Sequence, residues 1–274
     1  MPGPLHRVLR GLAAEEVLDE LPDGRFGLSP VGELLRPGVP DSLQGTVAAR
    51  GGLYYRPAAG LLAAVRDGGT PFELAEGQPF FDALAAEPTR LAAFRASMAD
   101  RSAREAGAVV AAYDVSGFAS VVDVGGGSGL LLRAVRERAP SADVLLFDRP
   151  EVAAGSDLPA VGGDFFEQVP AGSDAYLLSR VLHDWDDDAA RRVLTACRTA
   201  MRPDSVLLVV EAVLPERAAD DPAAVRMDLH VLVLLPGRER TAAEYAVLCE
   251  AAGLRLTRDV PTDVGVHVLE VRPA

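Results

Sequence analysis

The stretch Val121-Val122-Asp123-Val124-Gly125-Gly126-Gly127-Ser128-Gly129-Leu130-Leu131-Leu132-Arg133 decides the reading of this 274-residue chain. An apolar run feeds a glycine-dense loop, and the loop opens into a segment of helical pattern, so the stretch reads as buried strand, tight turn, helix. Glycines let the backbone turn sharply and let a ligand approach the main chain, while the helix start offers free N–H groups. The spacing decides which ligand. A dinucleotide fingerprint needs G-x-G-x-x-G, and counting from Gly125 or Gly127 puts Leu130 or Leu132 where the third glycine should stand. That disfavours a nicotinamide dehydrogenase. D-x-G-x-G-x-G, from Asp123 to Gly129, is what remains.

Working outward from the loop, strands read at Ser120 to Val124, Asp143 to Phe147, Ala160 to Gly162, Ala175 to Ser179 and Val206 to Val210, with helical segments between most of them. Such alternation predicts an α/β domain, residues 116–274, around a mostly parallel sheet with right-handed crossovers. Leu254 to Val260 and Gly265 to Val271 read as a closing pair of strands. Thr241 and Glu244 form the signature of a capping box, opening a helix that Gly253 closes. Residues 1–115 read as a mainly helical domain. Leu5, Val8, Leu9 and Leu12 recur at helical spacing, continuing through Val17, Leu18 and Leu21. A turn at Pro22-Asp23-Gly24 and a helix start at Ser29-Pro30 follow. Helix, small β-wing and helix make the tail of a winged-helix unit. Further helices are expected in front of such a unit, so an N-terminal truncation or a partner over the apolar face is expected here.

Nearly half the residues are apolar and the formal net charge is −13. Nucleic acid is therefore not expected as a partner, because affinity for phosphate backbones comes mainly from lysine and arginine displacing counterions. No apolar run approaches the ~20 residues of a membrane span, and no basic segment followed by an apolar core and cleavage site opens the chain. A cytoplasmic protein without membrane contact is expected. Cys197 and Cys249 lie in separate helical segments without C-x-x-C spacing, which predicts buried structural thiols rather than a disulfide or a zinc site.

Asp148 ends the second strand of the sheet, about 20 residues past the glycine loop, where an acid can hydrogen-bond a ribose hydroxyl pair. Gly163-Asp164-Phe165-Phe166 places an acid beside two aromatics, which suits an adenine; both phenylalanines are equally read as core. Leu182-His183-Asp184-Trp185 follows the strand ending at Ser179, so His183 belongs to the same carboxyl edge as the glycine loop. Histidine titrates near neutrality and suits removal of a proton from a hydroxyl nucleophile. Glu211 ends the next strand and Glu239 stands just before the capped helix. Two carboxylates beside an imidazole fix its tautomer and stabilise the imidazolium. Either one is alternatively a partner of Arg238 or Arg240.

The series D-V-G-G-G-S-G, L-L-F-D, G-G-D-F-F, V-L-H-D-W-D-D, E-A-V-L-P and G-R-E-R-T, running from Asp123 to Thr241, resembles plant-type and actinobacterial S-adenosylmethionine (SAM) dependent O-methyltransferases. The resemblance implies a Rossmann-like methyltransferase sheet behind a winged-helix-type N-terminal domain, with SAM as cofactor and no metal. It implies His183 as general base flanked by Glu211 and Glu239. It also matches Gly125, Asp148, Asp164 and Phe165 to cofactor contacts, together with Asp123 and Gly127 of the loop. Ser179 and Arg180 fall where a basic residue contacts SAM in that family. Plant members carry lysine at the position of Ser179, a departure here. The family's N-terminal helices interlock two subunits, so a homodimer through residues 1–115 is expected.

The implied reaction has His183 deprotonate an aromatic hydroxyl as its oxygen attacks the methyl group of SAM, with alignment supplying much of the rate. A small aromatic substrate, polyketide or phenolic, is expected against Phe94 and Met98 on one helix and Met227, Asp228 and Val231 on another, although ordinary core packing explains that spacing equally. Two other readings stand beside this one. The scaffold can run a SAM-dependent hydroxylation or rearrangement without methyl transfer, and a ligand-sensing winged-helix protein is the binding-module alternative.

Overall fold

The computed structural model describes residues 3–39 and 42–274. Contacts gather the chain into one unit of Met1–Leu53 with Leu84–Arg101 and another of Tyr54–Ala83 with Ser102–Ala274. This partition does not fall at residue 115, because Tyr54–Ala83 and the end of the long helix Pro88–Ala112 group with the sheet.

In the first unit a helix spans Pro4–Ala14, with proline at its start. It does not run on to Leu21. Glu16 takes a left-handed backbone (φ 58°), and the chain leaves as β1 (Leu18–Glu20), pairing antiparallel with β2 (Phe26–Leu28). Ser29 fixes this exit, since its hydroxyl donates to the carbonyls of Glu16 and Val17 and accepts from the Gly32 N–H. That last bond caps the short helix Pro30–Glu33, where Ser29-Pro30 predicts a start. Leu5, Val8 and Leu12 are exposed.

The second unit is built on a seven-stranded sheet. Its strands are β3 (Ser120–Val124), β4 (Asp143–Asp148), β5 (Ala160–Gly162), β6 (Ala175–Ser179) and β7 (Val206–Glu211), followed, after two short segments, by a C-terminal pair. The short segments are β8 (Val213–Leu214) and β9 (Arg240–Thr241), which pair parallel with each other; the C-terminal pair is β10 (Leu254–Pro261) and β11 (His267–Pro273). The order across the sheet is β10-β11-β7-β6-β3-β4-β5, parallel from β7 to β5, with β11 antiparallel to β7 and β10. The final strand starts at His267 rather than Gly265, because Gly265 has a positive φ (82°) and belongs to the turn.

Side-chain alternation sorts the strands' apolar residues onto two faces. Val122, Val124, Tyr176, Leu178, Leu207 and Val209 pack with the helices Asp187–Ala200 and Ala242–Glu250. Val121, Leu177, Leu208 and Val210 pack with Leu130–Arg138 and with Ala106 and Val109 of the long helix. Cys197 and Cys249 are buried in the first of these cores, and burial pushes both thiols up to about 12.

This topology places the site. The chain steps outward from β3 to β4 and β5, then returns to the other side of β3 as β6. The loops after β3 and β6 therefore diverge, which is where open α/β sheets bind ligands. Among the described residues no helix is long and apolar enough to cross a membrane.

The capping box at the start of Ala242–Glu250 is complete: Thr241 Oγ1 accepts the Glu244 N–H at 3.2 Å and Glu244 Oε2 accepts the Thr241 N–H at 2.8 Å. Thr241→Ala is expected to cost about 1 kcal/mol of stability, read as a lowered urea midpoint with an unchanged slope.

Candidate active site

The glycine loop turns through left-handed backbone at Gly125 (φ 70°), Gly127 (56°) and Gly129 (71°). Gly126 and Gly129 are confined. A Cβ on Gly126 would fall 2.4 Å from Leu146 and 2.5 Å from Asp123 Oδ2, and one on Gly129 would fall 2.6 Å from Leu158. Gly127 is different, since a side chain there would meet no atom within 4 Å. The loop thus presses Gly126 onto β3 and β4 and Gly129 onto Leu158, and turns Gly127 outward as an open cradle. The Gly127 N–H donates to Asp148 Oδ2 at 2.8 Å, and the Arg149 N–H donates to Oδ1 at 2.7 Å, so the end of β4 is locked to the loop. Phe165 lies across Gly125, with a ring carbon 3.6 Å from where a Cβ would stand. Asp164 accepts the Phe166 N–H at 2.8 Å and so shapes its own turn. Asp123 sits beneath the loop, buried, with both carboxylate oxygens unpartnered; burial first, then Asp148, pushes it up to about 7.

On the other side of the crevice His183 lies in a turn of 3₁₀ helix, Leu182–Asp184, and is buried. Its Nδ1 is 2.8 Å from Glu239 Oε1 and 3.7 Å from Glu211 Oε2; its Nε2 is 3.3 Å from Asp184 Oδ1. Both glutamates are fully buried. The convergence comes from the short parallel pair β8 and β9, whose register Val213↔Arg240 brings Glu211, the last residue of β7 and two before Val213, to the same end as Glu239, which immediately precedes β9. Glu211 Oε1 accepts the N–H groups of Val181 and Leu182 at 3.0 and 2.8 Å, so it also holds the histidine turn. The Glu239 N–H donates to Asp228 Oδ1 at 2.9 Å.

Burial alone lowers the affinity of the imidazole for a proton, but Glu211, Glu239 and Asp184 outweigh it and raise His183 to about 9. Burial raises Glu211 to about 7, against the pull of His183. The folded protein therefore favours a protonated ring at neutral pH. Because the folded value lies above the ordinary 6.5, this group's stabilisation is complete below about pH 6.5 and is lost as pH rises through about 9.

Arg180 completes the cluster. It follows β6 with a left-handed backbone (φ 55°), a conformation costing a non-glycine residue about 1–2 kcal/mol, while its N–H still bonds Val210 O at 3.0 Å. Its guanidinium grips Glu105 at 2.7 and 3.3 Å and reaches Glu239 Oε1 at 3.5 Å. Burial works against its charge, and Glu105, Glu211 and Glu239 together more than offset it. His183, Glu211 and Glu239 also bring ligand-type atoms within 4.8 Å of one another. A cation there would sit beside the Arg180 guanidinium, which opposes it by Coulomb repulsion.

A second arginine fastens the loops. Arg240 is fully buried, donating to Asp187 Oδ1 at 2.8 and 2.9 Å, to Leu182 O at 3.1 Å and to Trp185 O at 2.9 Å. Arg238 pairs with Glu244 and Asp187. Arg238 and Arg240 are thus engaged elsewhere, and the arginine that approaches Glu239 is Arg180, at 3.5 Å. Gly237 is pressed against the histidine turn, where a Cβ would fall 2.0 Å from His183 O and 2.4 Å from the Trp185 N.

The sequence-derived set is thus placed in two groups. Asp123, Gly125, Gly127, Asp148, Asp164 and Phe165 gather about the glycine loop, and His183, Glu211 and Glu239 gather at the ends of β6 to β9. Ser179 closes β6, half-buried. On the helix Pro222–Leu234, Val231 is buried, Met227 is half-buried and Asp228 is bound to the Glu239 backbone. Phe94 and Met98 are half-buried and belong to the other unit. Glu105, Gly237 and the role of Arg240 were not anticipated. Gly237 and Arg240 do stand in the G-R-E-R-T run, where a glycine and an arginine beside a buried acid were available signals; Glu105 carries none.

A family model described as an O-methyltransferase domain matches residues 59–255. The chain belongs to the O-methyltransferase family. The enzyme is 42% identical to a phenazine O-methyltransferase of Lysobacter antibioticus over 98% of its own length and 82% of that protein's. It is 39% identical to a mitomycin biosynthesis 6-O-methyltransferase of Streptomyces lavendulae, over 98% and 81%. Its fold matches that of an O-methyltransferase from neocarzinostatin biosynthesis, solved with SAM and 2-hydroxy-5-methyl naphthoic acid, with a TM-score of 0.84 and 30% identity over 98% of this chain and 85% of that one. It is a SAM-dependent O-methyltransferase.

Replacing Gly237 by alanine forces a methyl group onto the backbone of the histidine turn. The G237A enzyme should lose about 2–4 kcal/mol of stability by urea unfolding, or fold with the turn displaced and methyl transfer reduced at least tenfold.

Proposed function

We propose that this O-methyltransferase methylates an aromatic hydroxyl of a small natural product, phenolic or polyketide, with His183 as the general base. The observation that carries the reading is the buried imidazole whose Nδ1 is bonded to Glu239 at 2.8 Å. A ring that donates from Nδ1 to a carboxylate keeps its Nε2 lone pair for the substrate. Nε2, 3.3 Å from Asp184 Oδ1, must first lose its proton. It then accepts the hydroxyl proton, and Glu211 and Glu239 stabilise the imidazolium that results.

For SAM, the open face of Gly127, the unpartnered Asp123 carboxyl beneath the loop and the aromatic wall of Phe165 form a fitting cradle. When bound, the cofactor supplies an activated methyl group on a sulfonium. Asp148 would hold the ribose hydroxyls while also fixing the Gly127 N–H. Asp164 and Phe165 would take the adenine, Asp123 and Gly125 would shape the floor, and Ser179 at the end of β6 would stand at the amino-acid end. The mechanism needs no metal. Met227 and Val231 are the proposed substrate contacts in this unit, and Asp228 serves the Glu239 loop. The aromatic substrate class draws support from the phenazine relative and from the naphthoic acid bound to the neocarzinostatin enzyme.

His183→Ala should leave SAM binding, measured by calorimetry, within a fewfold of wild type and lower turnover about 10²-fold or more. Wild-type turnover in that variant removes His183 from the mechanism. The base works only when neutral, so kcat/KM of the wild type should rise with pH until His183 titrates at about 9, and this limb should vanish in H183A.

The chain is further read as a homodimer through its N-terminal segment, where Leu5, Val8 and Leu12 are exposed. Sedimentation equilibrium should give twice the chain mass, and Leu5→Glu with Val8→Glu should shift it toward the monomer.

A further inference from the structure

Two positive groups compete for one oxygen in this site. His183 Nδ1 lies 2.8 Å from Glu239 Oε1, and Arg180 Nη1 lies 3.5 Å from the same atom. A carboxylate oxygen in contact with an arginine is a poorer acceptor for the imidazole, and a guanidinium binds carboxylate in a two-pronged grip when free to do so. What keeps Arg180 from closing on Glu239 is visible in the distances. Glu105, on the helix Pro88–Ala112, holds the opposite side of the guanidinium through Nη2 at 2.7 Å and Nε at 3.3 Å. Both side chains of this grip are almost entirely buried, at 13% and 9% exposure, so water screens it little. Arg180 holds this position from the left-handed turn described above.

We propose that Glu105 is a positioning residue for methyl transfer, acting through Arg180: it withholds the guanidinium from Glu239 Oε1 so that this oxygen orients the imidazole of His183. The inference deepens the reading of His183 as base and rests on it for its effect on turnover. Glu105 touches no reacting atom. Its influence passes from the long helix to Arg180, to Glu239, to Nδ1.

The charges around the ring fix the sign. His183 is faced by Glu211 from β7, by Glu239 from the segment before β9, by its neighbour Asp184, and by Arg180 beyond Glu239. Tyr245, on the helix Ala242–Glu250, faces both glutamates; burial raises its phenol well above the ordinary value and keeps it neutral. Arg240 is engaged by Asp187. Neutralising Glu105 removes a negative charge and lets a positive one approach the acceptor of Nδ1–H. Both changes make the imidazolium less stable.

The test compares wild type, E105Q, R180M and E105Q/R180M, with H183A as reference. In E105Q the limb of the kcat pH profile should move down by about one pH unit, and its plateau should fall about tenfold. The Kd for S-adenosylhomocysteine should stay within about threefold. A direct readout is the ¹⁵N NMR titration of the ring, with His183 assigned among the chain's four histidines by its loss in H183A; its midpoint should fall likewise. Once Arg180 is gone there is nothing to withhold, so E105Q/R180M should be no worse than R180M, a non-additivity that a purely structural ion pair between helix and strand end would also give only without the shifted ring titration. An E105Q enzyme with a lower melting temperature but wild-type ring midpoint and kcat plateau overturns the proposal. If E105Q does not fold, E105D decides, with an intermediate ring midpoint expected and an unmoved one overturning it. Wild-type turnover in H183A removes the base reading alone, and the ring titration still decides the role of Glu105.

Discussion

The hydrogen bond from His183 Nδ1 to Glu239 is the contact on which the catalytic unit turns. Keeping two ionisable carboxyl groups and an imidazole away from water costs several kcal/mol per charge unless each is held by partners. The surrounding structure supplies those partners one at a time. Backbone N–H groups of Val181 and Leu182 hold Glu211, Asp228 holds the backbone at Glu239, and Arg180 balances the cluster's negative charge. Arg240 ties the histidine turn to β9 from behind. The bond is thus less a local pairing than the point at which the ends of four strands are brought into register.

The contrast between the two sides of the crevice is chemical. The glycine loop offers backbone and empty space, with one buried acid below and one acid fastened alongside. The histidine side offers ionisable side chains, each already held by a partner. A ligand that carries its own activation needs the first kind of surface, and a proton transfer needs the second. Their placement at the divergence of β3 and β6 follows from strand order alone.

Local patterns made half of this legible from residues. The strand–glycine–helix run, the five parallel strands and the Thr241–Glu244 box depend on neighbours a few positions apart, and they stand where spacing puts them. The helical period runs past the true end of the helix at Ala14, because Val17, Leu18 and Leu21 fit it as well as they fit the exit into β1; the left-handed Glu16 decides between them, and no pattern announces it. The meeting of Glu211 with Glu239 rests on the two-residue pair β8 and β9, too short to leave a periodic signal. Glu105 and Arg180 are 75 positions apart, and only the packing of the long helix beside the sheet joins them.

Asp123 gives the glycine loop a property its glycines do not have. With no hydrogen-bond partner and a value pushed up to about 7, its carboxyl passes between neutral and charged forms near neutral pH. The floor under the cradle is therefore an adjustable charge, weakly attractive to a cation above it in acid and more strongly so in mild alkali. A sulfonium and a neutral thioether, arriving and leaving over the same loop, would meet that floor on unequal terms.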